Sequence, residues 1–548
     1  MNLLDWSVIV IYLCVIIVIA LRLNRRQSSL RAYFLADQKI KWWQSGLSVM
    51  ATQLGAISFV SVPAFVVLKP GGGLKWLCYE FGLPLGLLIV VVFLIPVLHR
   101  AGVISIYEYL EHRFDRRVRL FISALFLLGR GLATSVAVLA GGLILSTCLG
   151  VSTTTAILLV GVITILYDAL GGMRIVVLSD VFQMVLIVAG FAVCIWVGLS
   201  IVDYGDLSRA LSPERARIFD FASLGFSRES EYAFWPMLLG GIFLYASYYG
   251  CDQSQMQRQL SLADGTDAKK SILFNAYGRF PLVLLYCFLG VVVGAVAAQP
   301  EFMIRVSRVL NTNHETAQHL LAKDPDRLLP LFILSYLPHG VIGFIFVSIM
   351  SALMSSLDSA LNSLSAVTVR DFYQKFTGLK TAGKNDLVVS KVCTLLWGGF
   401  CVSTAILFLN IEGASRQTTL VLINAVGSVL YGPVLAAFLL GILVRRVTAK
   451  TVILSVAAGV ICNVGLWRFT DISWLWWNFT GFVVPCITAF IGCGLRISSA
   501  QNRKGLFSCK NTGLARAVDG TQAHRMVIAY VLCMIFVCLV IEKILTGA

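Results

Sequence analysis

The chain is divided into apolar blocks of one recurring length. A helix needs roughly 20 mostly apolar residues to cross the hydrocarbon of a bilayer, and about fourteen blocks meet that measure. They lie near 4–22, 44–68, 76–99, 118–150, 154–172, 176–202, 232–254, 272–298, 328–366, 388–410, 418–444, 451–470, 473–495 and 525–545. Hydrophobic residues make up 58% of the sequence and charged residues 13%, where a soluble domain carries about a quarter charged. In water such a surface would aggregate; in lipid it is solvated. The expected fold class is therefore an all-α membrane protein with about 13–14 transmembrane helices. The blocks at 118–150 and 328–366 exceed one straight span, so each is expected to include an extramembrane turn or an interfacial helix.

A net charge of +16 suggests polyanion binding until the charges are placed. With the N-terminus outside and each block crossing once, basic residues on the inner side outnumber those on the outer side roughly two to one. This positive-inside asymmetry sets an N-out, C-out orientation, predicts contact with anionic lipid and argues against nucleic acid. The first block has no basic start and no small-residue cleavage site, so it reads as a retained helix. The longest polar stretches, 203–231, 299–327 and 496–524, are loop-sized. No GxxxxGK[ST] loop occurs, which removes an ATP-driven pump of that type. The six histidines form no ligand cluster and the nucleophile patterns of hydrolases are absent, so no enzyme is expected. The fourteen cysteines contain no CxxC pair and read as small buried residues. The sequon Asn478-Phe479-Thr480 falls inside a span, which favours a bacterial cytoplasmic membrane. A monomer is expected.

Two blocks are locally wrong for simple helices. The second carries Ser48-Val49-Met50-Ala51-Thr52-Gln53-Leu54-Gly55-Ala56-Ile57-Ser58-Phe59 in mid-span. The seventh runs from Trp235-Pro236 through Gly240-Gly241 to Tyr248-Tyr249-Gly250-Cys251-Asp252-Gln253. Interrupted spans at matching places in two halves point to an inverted-repeat transporter with its site at the midplane; the alternative is that these residues serve only helix packing. The division is then a first helix and inner loop (1–43), a first repeat (44–202), an outer loop (203–231), a second repeat (232–444) and C-terminal extra helices (445–548).

The ninth block holds a stripe of oxygen ligands. Ala352, Ser355, Ser356 and Ser359 share one helical face, and Ser355, Asp358, Ser359 and Asn362 an overlapping one. Hydroxyl, carbonyl and carboxylate oxygens suit sodium, a hard cation. A carboxylate at this depth costs several kcal/mol unless paired or functional. Asp358 is alternatively half of an ion pair with an arginine, and the serines alternatively bond back to their own helix. A cation site also needs free backbone carbonyls, which the broken second block would supply.

Four ordered stretches carry a resemblance over nearly the whole chain. They are Ala51–Phe59 followed by Pro63-Ala64; Tyr167-Asp168-Ala169-Leu170-Gly171-Gly172 leading to Ser179-Asp180-Val181-Phe182-Gln183; Tyr249–Gln253 with Gln257-Arg258 and Leu260; and the ninth-block stripe continuing to Thr368-Val369-Arg370-Asp371-Phe372-Tyr373. Together they resemble the sodium:solute symporter family. The resemblance implies a LeuT-type fold of five plus five inverted helices with extra flanking helices. It also implies sodium-coupled symport of a small organic solute by alternating access. Carried over, the main sodium site would use carbonyls of Ala51, Leu54 and Ala352 and hydroxyls of Ser355 and Ser356. A second sodium would use Asp180, Ser355, Asp358 and Ser359. The sequence departs from the serine-rich pattern at Asp358, which leaves a proton site as the alternative.

The same resemblance matches Arg130 to an arginine that holds a substrate carboxylate in sialic-acid carriers. It matches Arg279 to a lysine that contacts sugar in a bacterial galactose carrier. Sialic acid, a monocarboxylate or a sugar are the implied solutes. Arg130 alternatively pairs with Asp358, Asp180 or Glu80, and Arg279 alternatively snorkels to an interface. Gln53, Ser58, Glu80 and Tyr245 would face the same cavity, with Tyr248 and Tyr249 as aromatic gates or as plain core aromatics. A proton-coupled symporter and a non-transporting solute sensor are the rival functions.

Overall fold

The computed structural model describes residues 1–24, 29–227, 230–377, 384–410, 416–494 and 521–546; most of the polar stretch 496–524 lies outside them. The described residues are helical apart from turns and one isolated bridge between Ile40 and Leu262. A first helix, α1 (Leu3–Asn24), precedes a broken pair, α2 (Trp42–Gln53) and α3 (Ala56–Val67), bent by 56°. Then come α4 (Leu74–Ala101), α5 (Arg116–Leu149) and α6 (Thr153–Leu199). A second broken pair, α7 (Gly241–Cys251) and α8 (Gln253–Leu260), opens the next series of α9 (Gly265–Ala297), α10 (Val341–Val367), α11 (Lys384–Leu409) and α12 (Arg416–Leu443). Three further helices, α13 (Ala449–Phe469), α14 (Trp474–Gly494) and α15 (Thr521–Thr546), complete the described chain.

Helix α6 has 47 residues, about 70 Å at 1.5 Å per residue and more than twice a hydrocarbon core. It is two spans joined at Gly172 (φ 55°, ψ −158°). A side chain there would be strained, and its Cβ would sit 2.6 Å from the Tyr33 carbonyl oxygen. The expected blocks 154–172 and 176–202 therefore meet at a kink, with no loop between them. The long block at 328–366 does divide, into Leu328–Tyr336 and α10, at a turn through Pro338 and Gly340 (φ 88°). The block at 118–150 does not divide. Asp115 caps α5 by accepting from the Arg117 and Val118 N–H groups, and Gly150 ends it in the left-handed region. Arg116 and Arg117 lengthen the helix further by a basic start ahead of the apolar block.

The spans sort by burial. Helix α10 is the most enclosed, 83% buried over its apolar window, and packs along α6, α5 and α1. Peripheral helices present large apolar side chains outward, such as Trp196, Leu396, Ile461 and Phe536. That is the lipid-facing surface the sequence requires. Helix α1 is fixed to the start of α10. The fully buried Asp5 carboxylate accepts from the Gly340 N–H (2.6 Å) and the Gly343 N–H (3.2 Å), and lies 2.8 Å from His339 Nδ1. A carboxylate on these unpaired amides caps α10 and meets its positive dipole end.

Candidate functional site

The break in the first core helix is built by Leu54 and Gly55. Leu54 leaves helical geometry (φ −88°, ψ 68°), Gly55 is extended and α3 restarts at Ala56. The Ser58 N–H donates to the Gly55 carbonyl at 2.9 Å instead of to Leu54, which takes the Leu54 carbonyl out of the helical ladder. Helix α10 crosses at this point. Ser355 Oγ donates to the Ala51 carbonyl (3.1 Å) and to the Ala352 carbonyl (3.2 Å). Ser356 Oγ lies 2.9 Å from the Thr52 carbonyl and 3.3 Å from that of Ala352. Ala51, Ala352, Ser355 and Ser356 thus converge, with Leu54 at the break beside them. The Thr52 carbonyl is an addition the sequence reading did not name. Oxygens of two hydroxyls and several carbonyls, with no soft ligand, match what sodium takes.

One helical turn further along α10, a guanidinium lies among the residues expected to hold a second sodium. Arg258 is fully buried on α8. Its Nη2 donates to Asp180 Oδ2 (3.0 Å), to Thr52 Oγ1 (2.7 Å) and to Ser359 Oγ, while its Nε donates to Ser48 Oγ (2.5 Å). Ser48 in turn donates to Asp180. The positive charge facing Asp180 and Ser359 is a fixed side chain. Asp358 is not paired with an arginine. Its Oδ2 accepts from Tyr167 Oη (2.6 Å) and Ser179 Oγ (3.4 Å), and its Oδ1 accepts from Ser359 Oγ (3.1 Å). Asn362 on the same face donates to Asp168 at 3.4 Å.

The expected substrate residues form two clusters rather than one. In the first, Glu80 Oε2 and Arg279 Nε are 3.6 Å apart, both side chains nearly fully buried. Tyr245 Oη donates to Glu80 Oε1 (3.3 Å), and Tyr249 Oη donates to Gln53 Oε1 (2.8 Å). Glu80 Oε2, Arg279 Nε and Arg279 Nη1 have no hydrogen-bond partner among the described residues. Arg279 is only 6% exposed, so it does not snorkel to an interface. Ser58 stands in the first turn of α3, half-buried.

In the second cluster, Arg130 Nη1 is 3.5 Å from Asp252 Oδ2, which corrects the expected pairing with Asp358, Asp180 or Glu80. The physical reason is position: Arg130 on α5 faces the α7–α8 break, where Asp252 is the non-helical residue (φ −89°, ψ 124°). Its guanidinium also lies 5.9 Å from the Tyr248 ring centre. Tyr107, Ser247, Gly427 and Tyr431 join Arg130 and Asp252 around a small pocket. Tyr248 and Tyr249 stand edge to face with centres 5.8 Å apart. Tyr249 serves the Gln53 side and Tyr248 the Arg130 side, so the pair stands between the clusters.

Arg258, Asp252, Tyr167 and Asp168 were not singled out from the sequence as site residues. Arg258 and Asp252 sit in Gln253-Ser254-Gln255-Met256-Gln257-Arg258-Gln259-Leu260 and just before it, a polar stretch that reads as a loop. Every residue of α8 is nevertheless buried. The usable signal was a charge beside a predicted helix break.

The profile of the sodium:solute symporter family matches residues 33–459. The chain is 28% identical to the sodium/sialic acid symporter NanT of Aliivibrio fischeri, over 89% of this chain and 92% of that protein. It is 29% identical to the Homo sapiens sodium/iodide cotransporter over 80% of this chain, and spans 65% of that protein's length. A solved Na+-coupled sialic acid symporter, substrate-bound and outward-open, superposes with a TM-score of 0.76 at 23% identity, covering 91% of this chain and 100% of that one. The fold is the LeuT type. The chain belongs to the sodium:solute symporter family.

Proposed function

We propose that this protein is a secondary active transporter that carries a small organic solute, a carboxylate or a sugar, together with sodium by alternating access. The observation that carries this reading is the convergence of Ala51, Ala352, Ser355 and Ser356 at the α2–α3 break. Sodium at that point takes its oxygens from two helices at once. Bound, it fixes the break and ties α2 to α10; released, it lets them part. Family membership favours this ion over a proton and favours transport over sensing.

Arg258 stands in for a second sodium between Asp180 and Ser359, so one sodium per cycle is the stoichiometry this site supports. The solute lies against Gln53, Ser58, Glu80, Tyr245 and Arg279. The unpaired buried atoms of Glu80 and Arg279 offer an acceptor and donors side by side, a pattern suited to hydroxyls or to a carboxylate beside a hydroxyl. Arg130 supplies a second anchor, and Tyr248 and Tyr249 divide the path. The protein works as a monomer in a bacterial cytoplasmic membrane, N-terminus outside.

The test is uptake of sialic acid, pyruvate and galactose into proteoliposomes with an imposed sodium gradient. At least one should accumulate, and accumulation should rise with an inside-negative potential, which supplies about 2.3 kcal/mol per charge per 100 mV. Uptake indifferent to sodium would overturn the coupling.

A further inference from the structure

The geometry points to Asp252 as an internal stand-in for the substrate carboxylate, occupying Arg130 when the carrier is empty and yielding it when a carboxylate solute arrives. This deepens the symporter reading and rests on it. Asp252 is built for divided duty. Its Oδ1 caps α8, accepting from the Ser254 N–H (2.7 Å) and Ser254 Oγ (2.6 Å). Its Oδ2 faces Arg130 at 3.5 Å, beyond ordinary hydrogen-bond range. A carboxylate and a guanidinium free to optimise their contact make two parallel bonds near 2.8 Å. Here the cap holds the carboxylate back, and Arg130 Nε is buried with no hydrogen-bond partner among the described residues. The guanidinium fork is thus half used, and it opens on the cavity bounded by Tyr107, Ser247, Asp252 and Tyr431.

The charge arithmetic supports exchange over addition. An arginine alone in this cavity would be an uncompensated buried charge, which is strongly unfavourable. Asp252 neutralises it at little cost in geometry. A second carboxylate would leave two anions against one cation, so the incoming group displaces the longer, weaker contact. Asp252 is also the non-helical residue at the α7–α8 break. Losing its ion pair there frees the joint between two core helices, which couples arrival of the solute to movement of the break. A neutral sugar makes no such exchange, so only an anionic solute drives this movement of the break.

The experiment uses the purified full chain with sialic acid and pyruvate as carboxylate probes and galactose as the neutral probe, all in sodium. Asp252→Asn keeps an oxygen for the α8 cap and removes the competing charge. Carboxylate affinity should rise about tenfold, the factor expected if Asp252 holds Arg130 about nine-tenths of the time. Galactose binding should not change. Arg130→Gln should abolish carboxylate binding and make Asp252→Asn silent in the double variant. A sodium-dependent thermal shift reports that each variant is folded. Should Asp252→Asn not fold, Asp252→Ser serves the same test, since a serine hydroxyl also caps a helix. Equal or weaker carboxylate binding after removal of the charge overturns the inference and leaves the symporter standing. So does sodium-driven galactose uptake with no carboxylate bound by wild type. Absence of any sodium-dependent uptake removes the symporter reading, and this inference with it.

Discussion

Ser356 of α10 and Arg258 of α8 lie beside the same break and have different consequences when lost. Ser356 Oγ touches carbonyls on both helices, so Ser356→Ala removes one oxygen ligand and little packing. Sodium affinity, read from the sodium dependence of uptake, should fall about tenfold, equivalent to about 1.4 kcal/mol, with the fold intact. Arg258→Met leaves Asp180 ionised and buried without its cation, which costs about 3–5 kcal/mol. Thermal unfolding in detergent should drop markedly, and adding Asp180→Asn should restore most of the loss. An unchanged melting temperature for Arg258→Met would show that Asp180 is not charged in the folded state. The serine stripe was legible because its spacing is visible in one continuous helix. Arg258 was not, because its partners, Ser48, Thr52, Asp180 and Ser359, come from three other helices whose juxtaposition no local pattern encodes.

Helical elements here are defined as much by where they fail as by where they run. Polar and small residues at Thr52–Gly55 foretold the first break because a mid-membrane backbone can leave the helix only where protein or ligand satisfies it. The Gly172 kink was hidden inside two blocks that read as separate spans; sequence showed the glycine but not its positive φ. Gly172→Ala should destabilise by about 1–3 kcal/mol through backbone strain, and a melting curve measures it. The corner joining α5 to the segment that follows α10 carries a carboxylate sensitive to acid. Glu108, in the short helix Tyr107–Arg113, accepts from Arg370 Nη2 at 2.9 Å and from the Ser105 N–H at 3.0 Å. Burial pushes its carboxyl up, but Arg370 and Arg119 outweigh that and hold it below the usual range. A depressed folded value means stability is present above the unfolded value of about 4.3 and is lost as pH falls through the folded one. Glu108→Gln should therefore flatten the loss of melting temperature below about pH 4.5. An acid slope identical to wild type would show that the pair with Arg370 adds nothing.

At the scale of the molecule, the described residues hold 11 helices long and apolar enough to cross a membrane, 12 with the bent pair, where about fourteen blocks were expected; their order was readable from apolar blocks alone, since lipid leaves the chain few other choices. The two-cluster division of the polar cavity was not. It depends on Tyr248 and Tyr249 pointing to different sides of one helix, and on Arg130 finding Asp252 across a break. Helix α10 meets the proposed sodium ligands of α2 on one flank and takes structural bonds from α1 and α6 on the other. Tyr12 of α1 accepts from Ser351 Oγ at 2.8 Å, and Gln183 of α6 donates to the same hydroxyl at 3.0 Å. Motion during transport is then expected in α2, α3, α7 and α8 against a fixed α5–α6–α10 frame. Distance labels across α2 and α10 should separate on sodium removal, while labels across α6 and α10 should not.

The cap that Asp5 places on α10 also has a history within each synthesis of the chain. The carboxylate and the Gly340 amide it binds are 335 residues apart in sequence. At about 5–20 residues per second, α1 emerges roughly 20–70 s before its partner exists. Through that interval the Asp5 carboxylate has only its own segment to bond, accepting from the Asn2 N–H at 2.9 Å. Only once the start of α10 is made can Asp5 take the Gly340 and Gly343 amides, so the final docking of α1 comes late in the making of the chain.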